Sequence, residues 1–478
     1  MRSRSRAGRL LAACWLACGC ATFVRPEGDG GWGSARRSEE LGRIARGAGV
    51  DFAAATAPDA AHPLDLTTAL AMAAKGNRRI LSSQRQLAIE EERVRDVRGG
   101  LLPAAVGSGR YSWFTDAQRN SIQLPGALGS AGNTSIEIRD SELGTVNGTV
   151  TLPLDLGELR HALGAAQAGY RGEQARLWAT TLEQQLGVVR AYFELLEAER
   201  LREVTEQNVA LYREQLANAD ERFRAGRLTK NELLVVQVAL HANEEERQQR
   251  ELAISQARYA LNRAIGADVN AATEPADVST RPIVPGVEEA LRLAYSQNPV
   301  LRSLLEEQQR LDETARSRAL GRLPRFYAGA AIDYSNSQLL EPRDIGSGFV
   351  GFSWDLGTDQ RREAEIAQAR IGADKNRLEI EGQLRDLEAA VRTARQAVSE
   401  RLAALDAAEI AVTQAEENVR IRQQQFDAGR ASSEDVLDAQ ALLSAQRATR
   451  TTALYQAHVR LAELQSLMGL DLASSATR

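Results

Sequence analysis

Two stretches decide the fold, and they share one pattern: residues 223–234 are FRAGRLTKNELL, and residues 426–438 are FDAGRASSEDVLD. In each stretch a glycine, Gly226 or Gly429, follows a helical segment, which is typical of a helix that ends in a left-handed residue. Three positions after each glycine comes a hydroxyl residue, itself followed three positions later by a carboxylate, as in a capping box that starts a helix. The sequence therefore predicts two helical hairpins with sharp turns.

Further matches extend this likeness over most of the 478 residues. The segment Ala69-Leu70 through Asn77 matches Ala290-Leu291 through Asn298, Leu102-Pro103 matches Leu323-Pro324, and Asp155-Leu156-Gly157 matches Asp355-Leu356-Gly357. Because the matches occur in one order, they indicate two homologous repeats. We divide the chain into a signal peptide (1–19), a tether (20–63), repeat 1 (64–274), a linker (275–286), repeat 2 (287–471) and a tail (472–478).

Each repeat is predicted to contain one very long helix that ends at a tip, at about 224–230 and about 427–433. Neither Leu156–Phe223 nor Arg361–Phe426 contains proline, and a helix over the first range would be on the order of 100 Å long. Apolar residues recur at spacings of three and four, which is the pattern of a coiled-coil seam. The seam residues are Leu182, Leu186, Val189, Phe193 and Leu196 in the first range, and Leu384, Leu387, Val391, Ala394 and Val398 in the second. Shorter helices are predicted from about Leu66 to Val97 and from about Val287 to Ala319.

A β-hairpin is predicted before each long helix, at about 104–153 and about 325–355. Apolar residues alternate with small or polar ones in these segments, as expected of strands with one apolar face. The aromatic residues Tyr111, Trp113, Tyr334 and Trp354 are of the types found at membrane interfaces. The first hairpin contains an insertion around 115–141, which we expect to be a loop, and a small soluble sheet is the alternative to membrane strands.

The N-terminus has the features of an export signal. Arginines precede a short apolar stretch, Leu10–Ala17, and the three cysteines of the chain, Cys14, Cys18 and Cys20, lie in or at the end of this segment. The residues before Cys20 resemble a lipobox, so we expect Cys20 to be acylated and to anchor the chain in outer-membrane lipid; plain signal cleavage is the alternative. The net charge of −5 disfavours a nucleic-acid partner.

The sequence has none of the patterns expected of an enzyme. The histidines His62, His161, His241 and His458 are scattered, so no metal site is expected. No phosphate-binding glycine loop, serine elbow or dinucleotide fingerprint occurs. We therefore expect no catalytic residues and no cofactor.

These repeats resemble the TolC-like outer-membrane efflux protein family, and the two tip motifs carry most of the resemblance. It implies a mainly α fold with a small β part, in which three chains share a 12-stranded transmembrane β-barrel that continues as a periplasmic α-helical tunnel. With the lipobox, the chain is similar to the acylated branch of that family. The location implied is the outer membrane of a Gram-negative bacterium, with the helices extending into the periplasm.

The resemblance also implies partners and a gate. The partners are a periplasmic adaptor (membrane fusion) protein and an inner-membrane pump of an efflux or type I secretion system, and the adaptor would meet the turns at Gly226, Arg227, Gly429 and Arg430. By motif position, Asp435 and Asp438 would form a carboxylate ring that narrows the periplasmic end. Capping of the helix by Asp435 is the alternative. The family often has tyrosine where this chain has Phe426, which puts a gate-locking hydrogen bond there in doubt.

A second class of function uses the same coiled-coil pattern. An exported lipoprotein that acts as a structural tether would need the long helices but no pore. It would leave the two β-hairpins and the glycine turns unexplained, and it would give no conductance in a planar bilayer.

Overall fold

The computed structural model describes residues 63–124, 132–278, 280–337, 341–354 and 359–475. Several predictions lie outside the described residues: the signal peptide, the acylation of Cys20, the tether up to residue 62 and the matching segment Asp355-Leu356-Gly357. Repeat 1 has the elements α1 (Leu66–Gly76), α2 (Arg78–Gly99), β1 (Ala104–Trp113), β2 (Gln118–Leu124), β3 (Gly132–Arg139), β4 (Glu142–Pro153), α3 (Leu156–Arg224) and α4 (Lys230–Ile265).

Repeat 2 has the same order without the inner pair of strands. Its elements are α5 (Val287–Gln297), α6 (Pro299–Leu320), β5 (Arg325–Ser335), β6 (Asp344–Ser353), α7 (Asp359–Asp427) and α8 (Ser433–Leu467), followed by the short helix α9 (Leu472–Ser475). The predicted fold class, mainly α with a small β part, is confirmed.

The prediction of one helix before each hairpin was wrong, because both helices break at an asparagine. Asn77 is extended, with φ −73° and ψ 118°, and its side-chain oxygen accepts hydrogen bonds from the backbone N–H groups of Arg79 and Ile80. Asn298 caps α6 in the same way through the N–H of Leu301, and Pro299 occupies the first position of that helix. A proline disfavours the helical conformation of the residue before it, which explains the break at Asn298.

Each asparagine also links the beginning of its repeat to the end of the same repeat through a hydrogen bond. The Nδ2 of Asn77 donates to the carbonyl oxygen of Ala264 at 3.2 Å, and the Nδ2 of Asn298 donates to that of Leu467 at 3.0 Å. The last turns of α4 and α8 are thereby held against the break in the first helix of their own repeats. The two repeats are thus built on one plan in three dimensions as well as in sequence.

The strands from both repeats form one antiparallel sheet in the order β1-β4-β5-β6. The contact between β4 and β5 joins the repeats, with Val146 opposite Tyr334 and Leu152 opposite Ala328. The insertion was predicted to be a loop, which was wrong: β2 and β3 pair with each other in a second, two-stranded sheet. Their residues are mainly polar, so they lack the apolar alternation from which the other strands were predicted.

The four-stranded sheet is amphipathic. Cross-strand register places mainly apolar or small residues on one face, which we call the apolar face; its larger members are Tyr111, Trp113, Val146, Val150, Leu152, Phe326, Ile332, Tyr334, Val350 and Phe352. The polar face carries mainly hydroxyl, amide and charged side chains, such as Thr145, Asn147, Thr149, Thr151 and Asp333. The large apolar side chains Phe326, Val350 and Phe352 are exposed.

The core lies between the helices. Along α3, Leu182, Val189, Phe193 and Leu196 are buried, and along α7, Leu387, Val391 and Val398 are buried, in agreement with the predicted seams; Leu384 differs, with 36% of its surface exposed. Tyr192 is fully buried, and its hydroxyl donates to the carbonyl oxygen of Ala276 at 2.7 Å. In the described ranges no helix combines the length and the apolar character that crossing a membrane requires.

Candidate functional site

The first helix tip has the predicted geometry. Gly226 has φ +69°, in the left-handed region, and the backbone N–H of Arg227 donates to the carbonyl oxygen of Arg222 at 2.8 Å. The hydroxyl of Thr229 accepts from the N–H of Glu232, while the carboxylate of Glu232 accepts from the N–H of Thr229 at 2.8 Å. The left-handed glycine and the capping box are therefore both confirmed.

The second tip repeats this arrangement at Gly429, which has φ +71°. The carboxylate of Asp435 accepts from the N–H and from the hydroxyl of Ser432, both at 2.8 Å. These hydrogen bonds stabilise the charged form and lower the pKa of Asp435 below its usual value. Asp435 thus closes the capping box of α8 with Ser432, as the alternative interpretation predicted, and its carboxylate remains partly exposed and charged.

Asp438 lies one turn further into α8 and is exposed. It faces α3, where burial and then the negative charge of Asp438 raise the pKa of Tyr212. Next to it, Leu437 packs in a small apolar cluster with Val209, Tyr212 and Val236, which lie on α3 and α4. The start of α8 is therefore packed against repeat 1, with the two carboxylates near that contact.

The side chains of the turns themselves are open. Apart from the glycine and its two chain neighbours, no described atom lies within 4 Å of the position that a Cβ atom would take at Gly226 or Gly429. Arg227 and Arg430 are exposed, and their backbone N–H groups close the turns. A partner protein can therefore reach both arginine side chains without rearranging the turns.

A contact between the two tips was not predicted from sequence. The guanidinium of Arg222, near the end of α3, lies 4.4 Å from the ring centroid of Phe426, near the end of α7. A nitrogen of the same guanidinium lies 3.7 Å from the carboxylate of Asp427. Phe426 lacks the hydroxyl that a tyrosine would offer, and here its ring face contacts a cation instead. In the sequence, Arg222 is one arginine among many on a polar helix face, so nothing distinguished it.

Comparisons with known proteins agree with this architecture. The model of the family described as outer membrane efflux protein matches residues 69–267 and 290–470, which cover most of the two repeats. No curated protein sequence matches the chain.

Three solved structures are similar in fold. The CmeC outer membrane channel of Campylobacter jejuni has a TM-score of 0.72 and 16% identity, over 84% of this chain and 85% of that chain. The outer membrane protein VceC of Vibrio cholerae has a TM-score of 0.71 and 16% identity, over 84% and 96%. The MtrE outer membrane channel of Neisseria gonorrhoeae, in its open state, has a TM-score of 0.66 and 17% identity, over 85% and 89%.

Proposed function

The chain belongs to the outer membrane efflux protein family and forms an outer-membrane duct of a tripartite efflux system, and we propose that three copies share one conduit. In this proposal the sheet lies in the outer membrane and the long helices extend into the periplasm as a tunnel. Cargo delivered by an inner-membrane pump, through a periplasmic adaptor, leaves the cell by this passive route.

The observation that carries the proposal is the four-stranded sheet. Among the described strands, β1 and β6 each pair on one side only, so both outer edges present backbone groups without a strand partner. An open sheet edge tends to pair with a further strand, and inside a bilayer every backbone polar group must have a hydrogen-bond partner. Closed membrane barrels have about eight strands or more, so one chain cannot close the sheet. Identical neighbours supply the missing strands, with the apolar face toward lipid and the polar face toward the conduit.

A crosslinking experiment tests this arrangement. Ser108 on β1 and Ser347 on β6 both lie on the polar face, and three strand spacings, about 14 Å, separate them within one chain. A thiol crosslinker much shorter than this separation can join Ser108→Cys to Ser347→Cys only between chains. We expect the double variant to give covalent trimers in native membranes, seen by denaturing electrophoresis.

The matched controls are the two variants that each carry one introduced cysteine. Like the double variant, they retain the native cysteines at positions 14, 18 and 20. They should give no trimer. A double variant that stays monomeric, together with the absence of conductance when the wild-type protein is placed in a planar bilayer, would favour the structural tether instead.

We also propose that Asp435 and Asp438 line the periplasmic end of the conduit, where three copies would form a carboxylate ring. Asp435→Asn combined with Asp438→Asn is then expected to lower the cation preference of the conductance, because six negative charges are removed from the three copies. Because the pKa of Asp435 is lowered, its share of the preference should persist to a pH below the usual range of an aspartate. Reversal potentials in a salt gradient measure both effects.

Glu232→Gln provides the control for this pair, because it removes the corresponding capping carboxylate of the other tip. Its selectivity should remain that of the wild type. Unchanged selectivity in the double variant would remove Asp435 and Asp438 from the gate and leave Asp435 as a cap only.

We also propose two sites of attachment, one to a partner protein and one to lipid. The open turns at Gly226, Arg227, Gly429 and Arg430 are proposed as the contacts for the periplasmic adaptor, because their side chains are accessible. Acylation of Cys20 is proposed as a second attachment to the outer membrane, on the basis of its sequence context. A lipid chain there would add to the anchoring by the sheet.

A further inference from the structure

The polar face of the sheet carries one feature that does not match its surroundings. Among the described strands of that face, Tyr327 on β5 and Phe349 on β6 are the two aromatic residues. Their neighbours in register on β4, β5 and β6 are Thr149, Thr151, Ala331 and Ser347, together with Pro153 beside Tyr327. Both rings are half-buried, although no other layer of the described structure covers this face of the sheet.

Two glycines explain how the rings are held. Tyr327 is opposite Gly351, and Phe349 is opposite Gly329. A Cβ atom on Gly351 would lie 2.8 Å from the Tyr327 ring, and one on Gly329 would lie 2.6 Å from the Phe349 ring. Each ring therefore packs directly on the backbone of the other strand, and neither glycine can be replaced by alanine without moving a ring.

The pair forms a corner. The ring centroids are 6.2 Å apart and the ring planes are inclined by 72°. A third ring can stack in an offset manner on one of them while it meets the other edge to face, and both are favourable aromatic geometries. The hydroxyl of Tyr327 has no hydrogen-bond partner among the described residues, so it is also free to bind a polar group beside that ring.

Nearby charges do not favour an ionic ligand. Arg325 is the charged residue closest along β5 on this face, and its guanidinium makes two hydrogen bonds to the carboxylate of Glu158, at 3.0 and 3.1 Å. The positive charge is thereby neutralised within the chain. The chemistry offered by the corner is therefore that of ring faces and edges.

We propose that Tyr327 and Phe349 form a binding subsite for the aromatic ring of a small molecule that passes through the conduit. This inference rests on the proposed function, because it requires the polar face to line the route. The subsite lies where β5 begins and β6 ends, next to the helices, so cargo coming from the helical tunnel reaches it as it enters the sheet. Three copies place three such corners at one level, and the brief stacking there retains aromatic cargo over aliphatic cargo.

A purely structural role for Tyr327 and Phe349 does not explain why two rings and two glycines occur together on the polar face. Glycine within a strand weakens it, and the neighbouring positions of the same face are filled by threonine, alanine and serine without any ring. A matched aromatic pair also exists on the apolar face at the same level: Phe326 and Phe352 lie directly opposite each other, with centroids 6.1 Å apart. That pair faces lipid in the proposed arrangement and stabilises the same strands, so it serves as an internal control.

The test uses the full-length protein in planar bilayers and two monovalent cations as blockers. Tetraphenylphosphonium carries aromatic rings, and tetrabutylammonium carries aliphatic chains. We expect tetraphenylphosphonium to block the wild-type conductance at lower concentration than tetrabutylammonium. Phe349→Leu should weaken block by tetraphenylphosphonium by roughly 3-fold to 10-fold, as expected for the loss of one aromatic contact, and should leave block by tetrabutylammonium unchanged.

The controls separate the ring from the fold. Phe352→Leu alters the opposite face of the same strands, so tetraphenylphosphonium should block this variant at the same concentration as the wild type. Equal block of the wild type by the two cations would overturn the proposal without any variant. An equal weakening of tetraphenylphosphonium block in Phe349→Leu and in Phe352→Leu would also overturn it. If the wild type conducts but shows no aromatic preference, only the subsite fails. If it does not conduct, the proposed function fails, and equilibrium dialysis of tetraphenylphosphonium against the purified protein still decides the subsite.

Discussion

Alanine at Gly266 or Gly469 is expected to destabilise the protein strongly, although alanine is a better helix former than glycine. Both glycines end a helix with positive φ, +78° and +75°. A Cβ on Gly266 would lie 2.6 Å from the backbone carbonyl of Gly76, and one on Gly469 would lie 2.6 Å from the carbonyl carbon of Gln297. Left-handed strain of about 1–2 kcal/mol is then added to overpacking of about 1–3 kcal/mol, because backbone rather than a flexible side chain must move.

The two tips provide matched controls for this prediction. Gly226 and Gly429 have almost the same φ, but no described atom beyond their chain neighbours lies within 4 Å of their Cβ positions. Alanine there should cost only the strain, about 1–2 kcal/mol. Thermal unfolding of the detergent-solubilised protein, followed by its helical circular dichroism signal, compares the four variants. Equal losses at all four sites would show that the close contacts at the two breaks do not matter.

Arg222→Ser is expected to raise the probability that the channel is open at its periplasmic end. The substitution removes both the contact with the Phe426 ring and the ion pair with Asp427, which together link the two helical hairpins. An exposed contact of this kind is worth about 1 kcal/mol per chain. If the three copies of the proposed assembly open together, about 3 kcal/mol is lost, which shifts the equilibrium roughly a hundredfold.

Single-channel recordings in planar bilayers measure this shift directly. Arg224→Ser is the control, because Arg224 pairs with Asp220 on its own helix. The substitution removes the same charge only two residues away, without touching the contact between the tips. It should leave the open probability unchanged. An equal rise in both variants would mean that charge alone is responsible, and no rise in either would mean that the contact between the tips does not hold the gate.

The sequence predicted those features that depend on neighbouring residues. Capping boxes, left-handed glycines and coiled-coil seams are all set by short spacings, so Thr229, Gly226 and Leu182 were identified correctly. The break at Asn298 had a local signal as well, since asparagine precedes proline there, and its match with Asn77 marked the same position in repeat 1.

Features that arise from tertiary contact could not be predicted in the same way. The link from Arg222 to Phe426 joins residues of different repeats, and the corner of Tyr327 and Phe349 appears only when the register of β5 and β6 is known. The strands β2 and β3 lack apolar alternation, so their pairing was missed. The gate and adaptor roles assigned to residues of the tips remain predictions.

The pairing of β4 with β5 bears on how the molecule is made. The two strands belong to different repeats, and the whole of the first helical hairpin, together with the linker, α5 and α6, lies between them in the chain. Closing a loop of this size is slow compared with forming contacts between adjacent helices. We therefore expect the helical hairpins to fold first, while the newly exported chain is still in water. The sheet, with the exposed apolar side chains of Val150 and Phe352, would then form last, close to the membrane into which it inserts.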